Sequence, residues 1–239
     1  MLSPSPTPND TQGEPPADFE LRDEFGNTDA NLRFLSGAVA PGQRVLEIGS
    51  GRGALLRHLL KQGLSVQGVE INDDRIVESR RLYGDLPISK VDGTALPFPD
   101  ASFDVVLSFD VFEHISESDA HVREVRRVLA PGGRYLLQTP NKWTNTVFET
   151  LRWRSFTSWR ADHCALHTYG QLRRRLERHG FEVRFHDVPV VTDFFRRKVR
   201  HYMGAPAVWL LKVANPDRLP LRFRTNFYVE ATRKDQGLR

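Results

Sequence analysis

VLEIGSGRG, at residues 45–53, is the most informative segment of this chain for predicting its fold. It completes a strand-like run, RVLEIG at residues 44–49, and a run with helical periodicity follows at residues 52–61. Glycines at alternate positions between the two runs let the backbone turn sharply, with no Cβ on the side where a ligand could lie. The sequence therefore predicts a buried strand, a tight ligand-facing turn and a helix that begins at the turn.

The rest of the chain repeats this alternation. Further strand-like runs lie at residues 65–71, 87–92, 102–110, 133–140 and 181–188, and helix-like runs lie at 73–83, 116–129 and 169–179. Strand–helix–strand repeats require a parallel sheet with right-handed crossovers. Ser116 is the expected N-cap of its helix. An alternating run at 223–233 predicts a last, antiparallel edge strand. We expect an α/β fold, a Rossmann-like, seven-stranded, mostly parallel sheet with helices on both faces and a cap helix before the first strand.

Composition limits the class of protein. The chain has 239 residues, and 39% of them are hydrophobic, enough for one sizeable core. The single cysteine, Cys164, excludes an internal disulfide framework and cysteine-held metal clusters. No apolar run approaches the roughly 18 to 20 residues that span a bilayer, and the N-terminus lacks the pattern of a secretion signal. We expect a cytoplasmic protein.

Two segments differ from the alternating region. Residues 1–17 are rich in Pro, Ser, Thr and Asn and are expected to form a disordered leader. Residues 18–239 then form one domain. Within it, residues 189–222 interrupt the pattern and are expected to form a variable insertion, either on the acceptor side of the site or as a lid over it.

The glycine stretch by itself leaves the cofactor open. Gly49, Gly51 and Ala54 also satisfy a dinucleotide-binding fingerprint, and Glu70 lies near the spacing of its ribose-binding acid. An NAD-dependent oxidoreductase is therefore an alternative. A carboxylate at Glu47 would repel a pyrophosphate but attract the ammonium and sulfonium groups of S-adenosylmethionine. Charge favours S-adenosylmethionine, and a non-catalytic cofactor-binding module is a second alternative.

Four motifs in order carry a family resemblance. They are VLEIGSGRG, VEIN, DGTALPFPDASFDVVLSFDVFEHI and REVRRVLAPGGRYLLQTPN. With their spacing, they resemble the class I S-adenosylmethionine-dependent methyltransferases over residues 42–188. The group includes bacterial ubiquinone-type, glycan-modifying and natural-product-modifying enzymes. The resemblance implies S-adenosylmethionine as cofactor and says little about the methyl acceptor.

The resemblance and the strand ends together predict the cofactor residues. Glu70 is expected to accept both ribose hydroxyls, and Ile71 to cover the adenine. Asp92 is expected to accept from the adenine amine, beside the amide of Gly93. Glu47 is expected to order the methionine moiety, the wall of which is formed by Gly49, Gly51 and Gly53. Ser108 and Phe109 are expected to lie beneath the sulfonium.

Methyl transfer to a hydroxyl also requires a base, and histidine is the natural base near neutral pH. Glu113 and His114 follow the fourth strand, where the resemblance places the acceptor side of the cofactor. His163 and His167 are second candidates. We expect no metal site, because the one close histidine pair that combines with carboxylates at ligand spacing, His163 and His167, lies in a loop. O-methylation is preferred over N- or C-methylation, and the acceptor is expected to be a small molecule, a glycan or a lipid-linked compound.

Charge is unevenly distributed along the chain. Residues 1–122 carry 10 Lys and Arg against 20 Asp and Glu, whereas residues 123–239 carry 24 against 10. The basic half indicates an anionic partner or simply solvated helix faces. Aromatic and cationic residues grouped within 194–212 suggest peripheral contact with an anionic membrane. Their grouping does not favour a nucleic-acid groove. Oligomeric state does not follow from the sequence.

Overall fold

The computed structural model describes residues 28–153 and 163–235. The predicted leader at 1–17 lies outside the described residues. The elements are α1 (Thr28–Leu35), β1 (Arg44–Ile48), α2 (Ala54–Lys61), β2 (Ser65–Glu70), α3 (Asp73–Tyr83), β3 (Ile88–Lys90), β4 (Phe103–Phe109), α4 (Ser118–Val128), β5 (Leu129–Pro140), α5 (Lys142–Trp153), α6 (Tyr169–Arg178), β6 (Phe181–His186), α7 (Asp193–Val213) and β7 (Asn226–Arg233). Short 3₁₀ turns occupy Phe112–His114, Pro216–Arg218 and Leu221–Phe223.

The seven strands form one sheet in the order β3-β2-β1-β4-β5-β7-β6. Every pairing is parallel except the two made by β7, which runs antiparallel to both neighbours. The expected α/β fold with an antiparallel last strand is confirmed. The order also differs from the 3-2-1-4-5-6 arrangement of dinucleotide-binding sheets, because an antiparallel strand lies between β5 and β6.

The prediction that the last strand lies at the edge of the sheet is wrong. Val229 pairs with Leu137 of β5 on one side and with Phe185 of β6 on the other, so β7 is internal and β6 is the edge. Three successive residues of β7, Phe227, Tyr228 and Val229, are buried. A strand covered on both faces carries such a run instead of strict alternation.

Two hydrophobic layers cover the sheet, one on each face. Leu46 and Val106 point into the layer beneath α4 and α6, whereas the neighbouring Val45 and Val105 point into the layer beneath α1 and α2. This two-residue periodicity follows from the pleat, and the helices on each face exclude water from the sheet. The ends of the strands are left open for a site.

Several helix boundaries depart from the prediction, and α2, for example, begins at Ala54 instead of residue 52. The helix expected from Ser116 begins at Ser118, with Glu117 at the N-cap, and Ser116 remains in the preceding loop. Ser118 Oγ donates to the Ile115 carbonyl at 2.8 Å, which holds that loop against the helix. Helix α5 was not predicted. Its start is fixed by Asn141, whose Nδ2 donates to the Arg224 carbonyl at 2.8 Å from a distant part of the chain.

The predicted insertion at residues 189–222 contains α7 and the 3₁₀ turn at Pro216–Arg218, and the turn at Leu221–Phe223 begins within it. Helix α7 is kinked at Gly204, where φ is 81°, and Pro206 follows the kink. Asp217 anchors the insertion by accepting from the amides of Val190 and Val191 at 2.9 and 3.0 Å.

Among the described residues, no helix is both long and apolar enough to cross a membrane.

Candidate active site

The glycine turn after β1 is shaped by two different constraints. At Gly49, with φ 75°, an added Cβ would lie 2.3 Å from Val111 Cγ2, so packing requires glycine. At Gly51, with φ 55°, an added Cβ would have no atom within 4 Å, so that side of the turn is open. The backbone N–H of Gly51 donates to Glu70 Oε2 at 2.8 Å, which ties the turn to the end of β2.

A cavity of about 530 Å³ lies at the carboxyl ends of β1, β2 and β4. This volume is in the range of small-molecule sites. We call it the cofactor cavity. It is lined by Ile48, Gly49, Val69, Glu70, Ile71, Asn72, Arg75, Val91, Asp92, Gly93, Thr94, Asp110, Val111, His114, Ile115, Ser116 and Glu117. Five of the predicted cofactor residues are among these: Gly49, Glu70, Ile71, Asp92 and Gly93.

Glu70 is buried at the floor of the cofactor cavity. Besides the Gly51 amide, its carboxylate accepts from the backbone amides of Ile71 and Asn72, both at 3.0 Å. A carboxylate has about four acceptor positions, so three are engaged by the protein itself. Glu70 therefore organises the loops on both sides of the cavity. Its predicted binding of ribose hydroxyls stays a prediction.

Two further predicted residues present ligand-facing groups. Ile71 is 63% exposed, an unusual position for a large apolar side chain, and it lines the cofactor cavity. Asp92 Oδ1 accepts from both the amide and the hydroxyl of Thr94 at 2.9 Å, so its carboxylate is held in place. An apolar lid beside a fixed acceptor suits a flat heterocycle with an amine.

The other predicted cofactor residues do not line the cofactor cavity: Glu47, Gly51, Gly53, Ser108 and Phe109. Glu47 is buried behind the turn. Burial, and next the charge of Glu70, raises the pKa of Glu47 to about 8. Its Oε2 has no hydrogen-bond partner among the described residues.

An added Cβ at Gly53 would lie 2.7 Å from Leu86 Cδ1, so this glycine serves packing. Phe109 contacts Phe34 edge to face.

A buried polar chain supports the cavity wall at Gly93, and the sequence analysis did not identify it. His121 Nδ1 lies 2.8 Å from the Gly93 carbonyl, and its Nε2 lies 2.9 Å from Tyr135 Oη, which lies 2.7 Å from Ser108 Oγ. A carbonyl only accepts, so Nδ1 donates, Nε2 accepts from Tyr135, and Tyr135 accepts from Ser108. Burial lowers the pKa of His121 to about 4, so the imidazole is neutral near pH 7, as these hydrogen-bond directions require.

A second cavity, of about 240 Å³, adjoins the first. We call it the acceptor cavity. Its walls come from β5, α5, α7 and β7 and are lined by Asp110, Glu113, His114, Pro140, Thr144, Asn145, Phe148, Glu149, His163, Phe195, Val199, Thr225 and Asn226. Asp110 and His114 line both cavities. The predicted insertion contributes Phe195 and Val199.

Three predicted catalytic residues meet at this junction. Potential ligand atoms of Glu113, His114 and His163 all lie within 4.8 Å of one another. Burial, and next the charge of Asp110, raises the pKa of Glu113 to about 8. Thr139 Oγ1 donates to Glu113 Oε2 at 3.0 Å, and Asn145 Nδ2 donates to His163 Nδ1 at 3.0 Å. The cluster could take up a proton or, by its composition, hold a metal ion.

His167, the remaining histidine candidate, lies outside the acceptor cavity. Its ring packs 5.3 Å from that of Phe112, and its backbone carbonyl accepts from the Lys142 amide at 3.0 Å. Burial, and next the charge of Arg175, lowers the pKa of His167 to about 4. Its position is that of a packing residue for the loop.

The charge of the cofactor cavity distinguishes between ligands. Its lining includes four carboxylates, of Glu70, Asp92, Asp110 and Glu117, and one arginine, Arg75. A pyrophosphate would meet repulsion there, whereas a cationic ligand with ribose hydroxyls meets acceptors. The residues present therefore fit S-adenosylmethionine and do not fit a dinucleotide.

A family model described as a methyltransferase domain matches residues 21–185. The chain belongs to this methyltransferase domain family. The match covers more than half of the chain and includes the glycine turn, the cofactor cavity and the junction at His114. Membership confirms the predicted family and S-adenosylmethionine as its cofactor.

Two relatives and one solved structure illustrate the similarity of this methyltransferase domain. A probable S-adenosylmethionine-dependent methyltransferase of Mycolicibacterium smegmatis is 33% identical over 59% of this chain and 53% of its own length. A fatty-acid O-methyltransferase of the same organism is 34% identical over 52% of this chain and 48% of its own. The chain thus spans about half the length of these relatives. An S-adenosylmethionine-dependent methyltransferase from Mesorhizobium loti shares the fold, with a TM-score of 0.60 and 19% identity over 85% of this chain and 98% of that one.

Proposed function

We propose that this protein transfers a methyl group to a hydroxyl of a small-molecule, glycan or lipid-linked acceptor. The observation that carries the proposal is the pair of adjoining cavities that share Asp110 and His114. When bound in the cofactor cavity, S-adenosylmethionine supplies an electrophilic methyl group on sulfur. The shared wall is where an acceptor atom can approach that methyl group in line.

His114 is the base that we assign to the hydroxyl proton. Its side chain is exposed and lines both cavities, so it can reach an acceptor atom held between them. Glu113 and His163 lie beside it, and His163 can accept the proton from the imidazolium that forms. Phe148, Phe195 and Val199 supply the apolar walls that orient the acceptor and exclude water.

An apolar or lipid-linked acceptor is supported by helix α7. One part of the helix lines the acceptor cavity with Phe195 and Val199, and its far end exposes Trp209 by 64% and Leu210 by 54%. Arg196, Arg197 and Arg200 lie on the same helix. A helix with this composition can rest on an anionic bilayer while it opens toward the acceptor cavity. The side chains of Phe194 and Lys198, also expected here, lie outside the described residues.

The test is incubation of the purified protein with methyl-labelled S-adenosylmethionine and fractionated host extract. Label in a lipid, glycan or small-molecule product supports O-methylation when the labelled methyl group is bonded to oxygen, as in a methyl ether or a methyl ester. Label on nitrogen or carbon would move the reaction to the alternative acceptor atoms. Saturable S-adenosylhomocysteine binding with no labelled product in any fraction would favour the non-catalytic module.

A further inference from the structure

A third cavity, of about 430 Å³, lies on the other side of the loop that carries His163. It is enclosed by the start of α4, the loop before α6 and one face of α6. We call it the arginine pocket. It is lined by Ser116, Ser118, Cys164, Ala165, Leu166, His167, Gln171, Arg174, Arg175 and Arg178. None of the described residues that line it is acidic.

The positive charge of the arginine pocket comes from one helix. Arg174 and Arg178 are one helical turn apart on α6, and Arg175 lies beside them. Asp119 is a carboxylate that contacts two of these arginines; its short contact of 3.0 Å is with His179, whereas Arg175 and Arg178 lie 3.7 and 3.8 Å from it. One carboxylate shared in this way leaves a net positive lining.

The start of α4 adds a second source of attraction for an anion. This helix has 11 residues, and its N-cap residue, Glu117, makes no side-chain capping bond. The first backbone N–H groups of a helix lack intrahelical partners and bind anions readily. Ser116 and Ser118 of this helix start line the same pocket as the arginines.

The wall of the arginine pocket also contains an unused polar atom. His167 is 7% exposed, and its Nδ1 has no hydrogen-bond partner among the described residues. Buried polar atoms are normally paired, so an unpaired one beside three arginines points to a ligand. The volume exceeds that of a single anion, which leaves room for an attached organic group.

We propose that the arginine pocket binds a phosphate-bearing ligand. Guanidinium groups bind phosphate in a bidentate manner, and three of them with a free helix N-terminus match its oxygens. Ser116 lines both this pocket and the cofactor cavity, so a bound phosphate would lie next to the proposed site of methyl transfer. The binding site stands independently of methyl transfer, and it gives the basic second half of the chain a specific partner.

Isothermal titration calorimetry on the full chain tests the proposal with two probes, inorganic phosphate and glycerol 3-phosphate, and with glycerol as the uncharged comparison. We expect the ester, the free anion or both to bind, and glycerol not to bind. Similar affinity for the two anions would identify free phosphate as the ligand. An ester that binds at least tenfold more tightly would identify a phosphorylated molecule.

Variants locate the binding. Arg174→Gln with Arg178→Gln is expected to weaken binding at least tenfold, whereas Arg80→Gln with Arg81→Gln on α3 leaves it unchanged. Gln171→Glu adds a negative charge and can still cap α6, so it should also weaken binding, even if the double arginine variant does not fold. Absence of phosphate binding in the unmodified protein, or full binding in Gln171→Glu, would overturn the proposal. Both results are independent of whether methyl transfer is observed.

Discussion

The rings of His114 and His163 lie 5.1 Å apart at the boundary between the cofactor and acceptor cavities. The two residues come from different segments, the 3₁₀ turn after β4 and the loop after α5. Cys164, next to His163, holds the two segments together, since its Sγ contacts the His114 carbonyl at 3.4 Å. The proposed base at the junction and its polar neighbours therefore come together only through contacts between the two segments.

The role of His114 can be separated from cofactor binding. His114→Ala should leave the affinity for S-adenosylhomocysteine nearly unchanged and lower turnover by roughly 10²- to 10⁴-fold, because only the proton transfer is lost. His58→Ala, which alters a half-buried histidine on α2 that lines neither cavity, is the matched control. Full turnover in His114→Ala would transfer the role to Glu113 or His163.

The same cluster makes a prediction about metal ions. A mechanism in which His114 takes the proton needs no metal ion, so dialysis against a chelator should leave the incorporation of labelled methyl groups unchanged. Activity that is lost on chelation and restored by Zn²⁺ or Mn²⁺ would instead assign Glu113, His114 and His163 as ligands. Metal content measured before and after dialysis provides the control.

Cofactor binding should depend on the charge of Glu70. Glu70→Gln keeps the shape of the side chain but weakens charge-assisted hydrogen bonds, so S-adenosylhomocysteine affinity should fall by about 2 kcal/mol. Glu182→Gln, an exposed carboxylate on β6, should have no effect. Calorimetry that shows equal affinity for both variants would remove Glu70 from the cofactor site.

The open side of Gly51 makes a second binding prediction. Gly51→Val places a branched side chain at positive φ and fills the space beside Glu70, so we expect cofactor affinity to fall at least 100-fold. Gly37→Val is matched, because Gly37 also has a positive φ, 76°, and no atom within 4 Å of an added Cβ, but it lies before β1 and not in the turn that is hydrogen-bonded to Glu70. Equal affinity in the two variants would show that the turn does not contact the cofactor.

Burial of Glu47 should be visible in the pH dependence of stability. Its pKa rises from 4.5 to about 8 on folding, so between these values the folded protein keeps a proton that the unfolded chain releases. The free energy of unfolding should therefore fall as pH rises through this window. Glu47→Gln should reduce this fall by on the order of a few kcal/mol and stabilise the protein at pH 8. Urea unfolding at pH 5.5 and pH 8 measures this change in the free energy of unfolding. The pH dependence of Glu182→Gln should match that of the unmodified protein.

Helix α7 predicts binding to anionic vesicles. Co-sedimentation with vesicles that contain phosphatidylserine should exceed that with phosphatidylcholine vesicles, because cations and exposed aromatic groups share this helix. Replacement of Arg197 and Arg200 by Gln should weaken it, whereas replacement of Arg80 and Arg81 should not. If the unmodified protein ignores anionic vesicles, the exposed residues of α7 have another role.

Local sequence patterns are enough to predict several individual elements of this fold. The change of periodicity after residue 49, the alternate glycines and the acids at successive strand ends depend on near neighbours in the chain. They predicted β1, the turn and α2, and they predicted Glu70 and Asp92 at the cofactor cavity. Local signals suffice there, because in an open parallel sheet the ligand crevice follows the carboxyl ends of the strands.

Which distant segments meet cannot be predicted from local patterns and is seen only in the folded chain. The internal position of β7 depends on its pairing with both β5 and β6, and the start of α5 depends on Asn141 reaching Arg224. Ser108 lay at a strand end as predicted, yet its hydroxyl turns inward to Tyr135 and His121 instead of toward the cavity. The arginine pocket and the cluster of Glu113, His114 and His163 likewise join residues that no local pattern connects. Periodicity reports which face of an element is buried, whereas the partner against which it is buried is set by long-range packing.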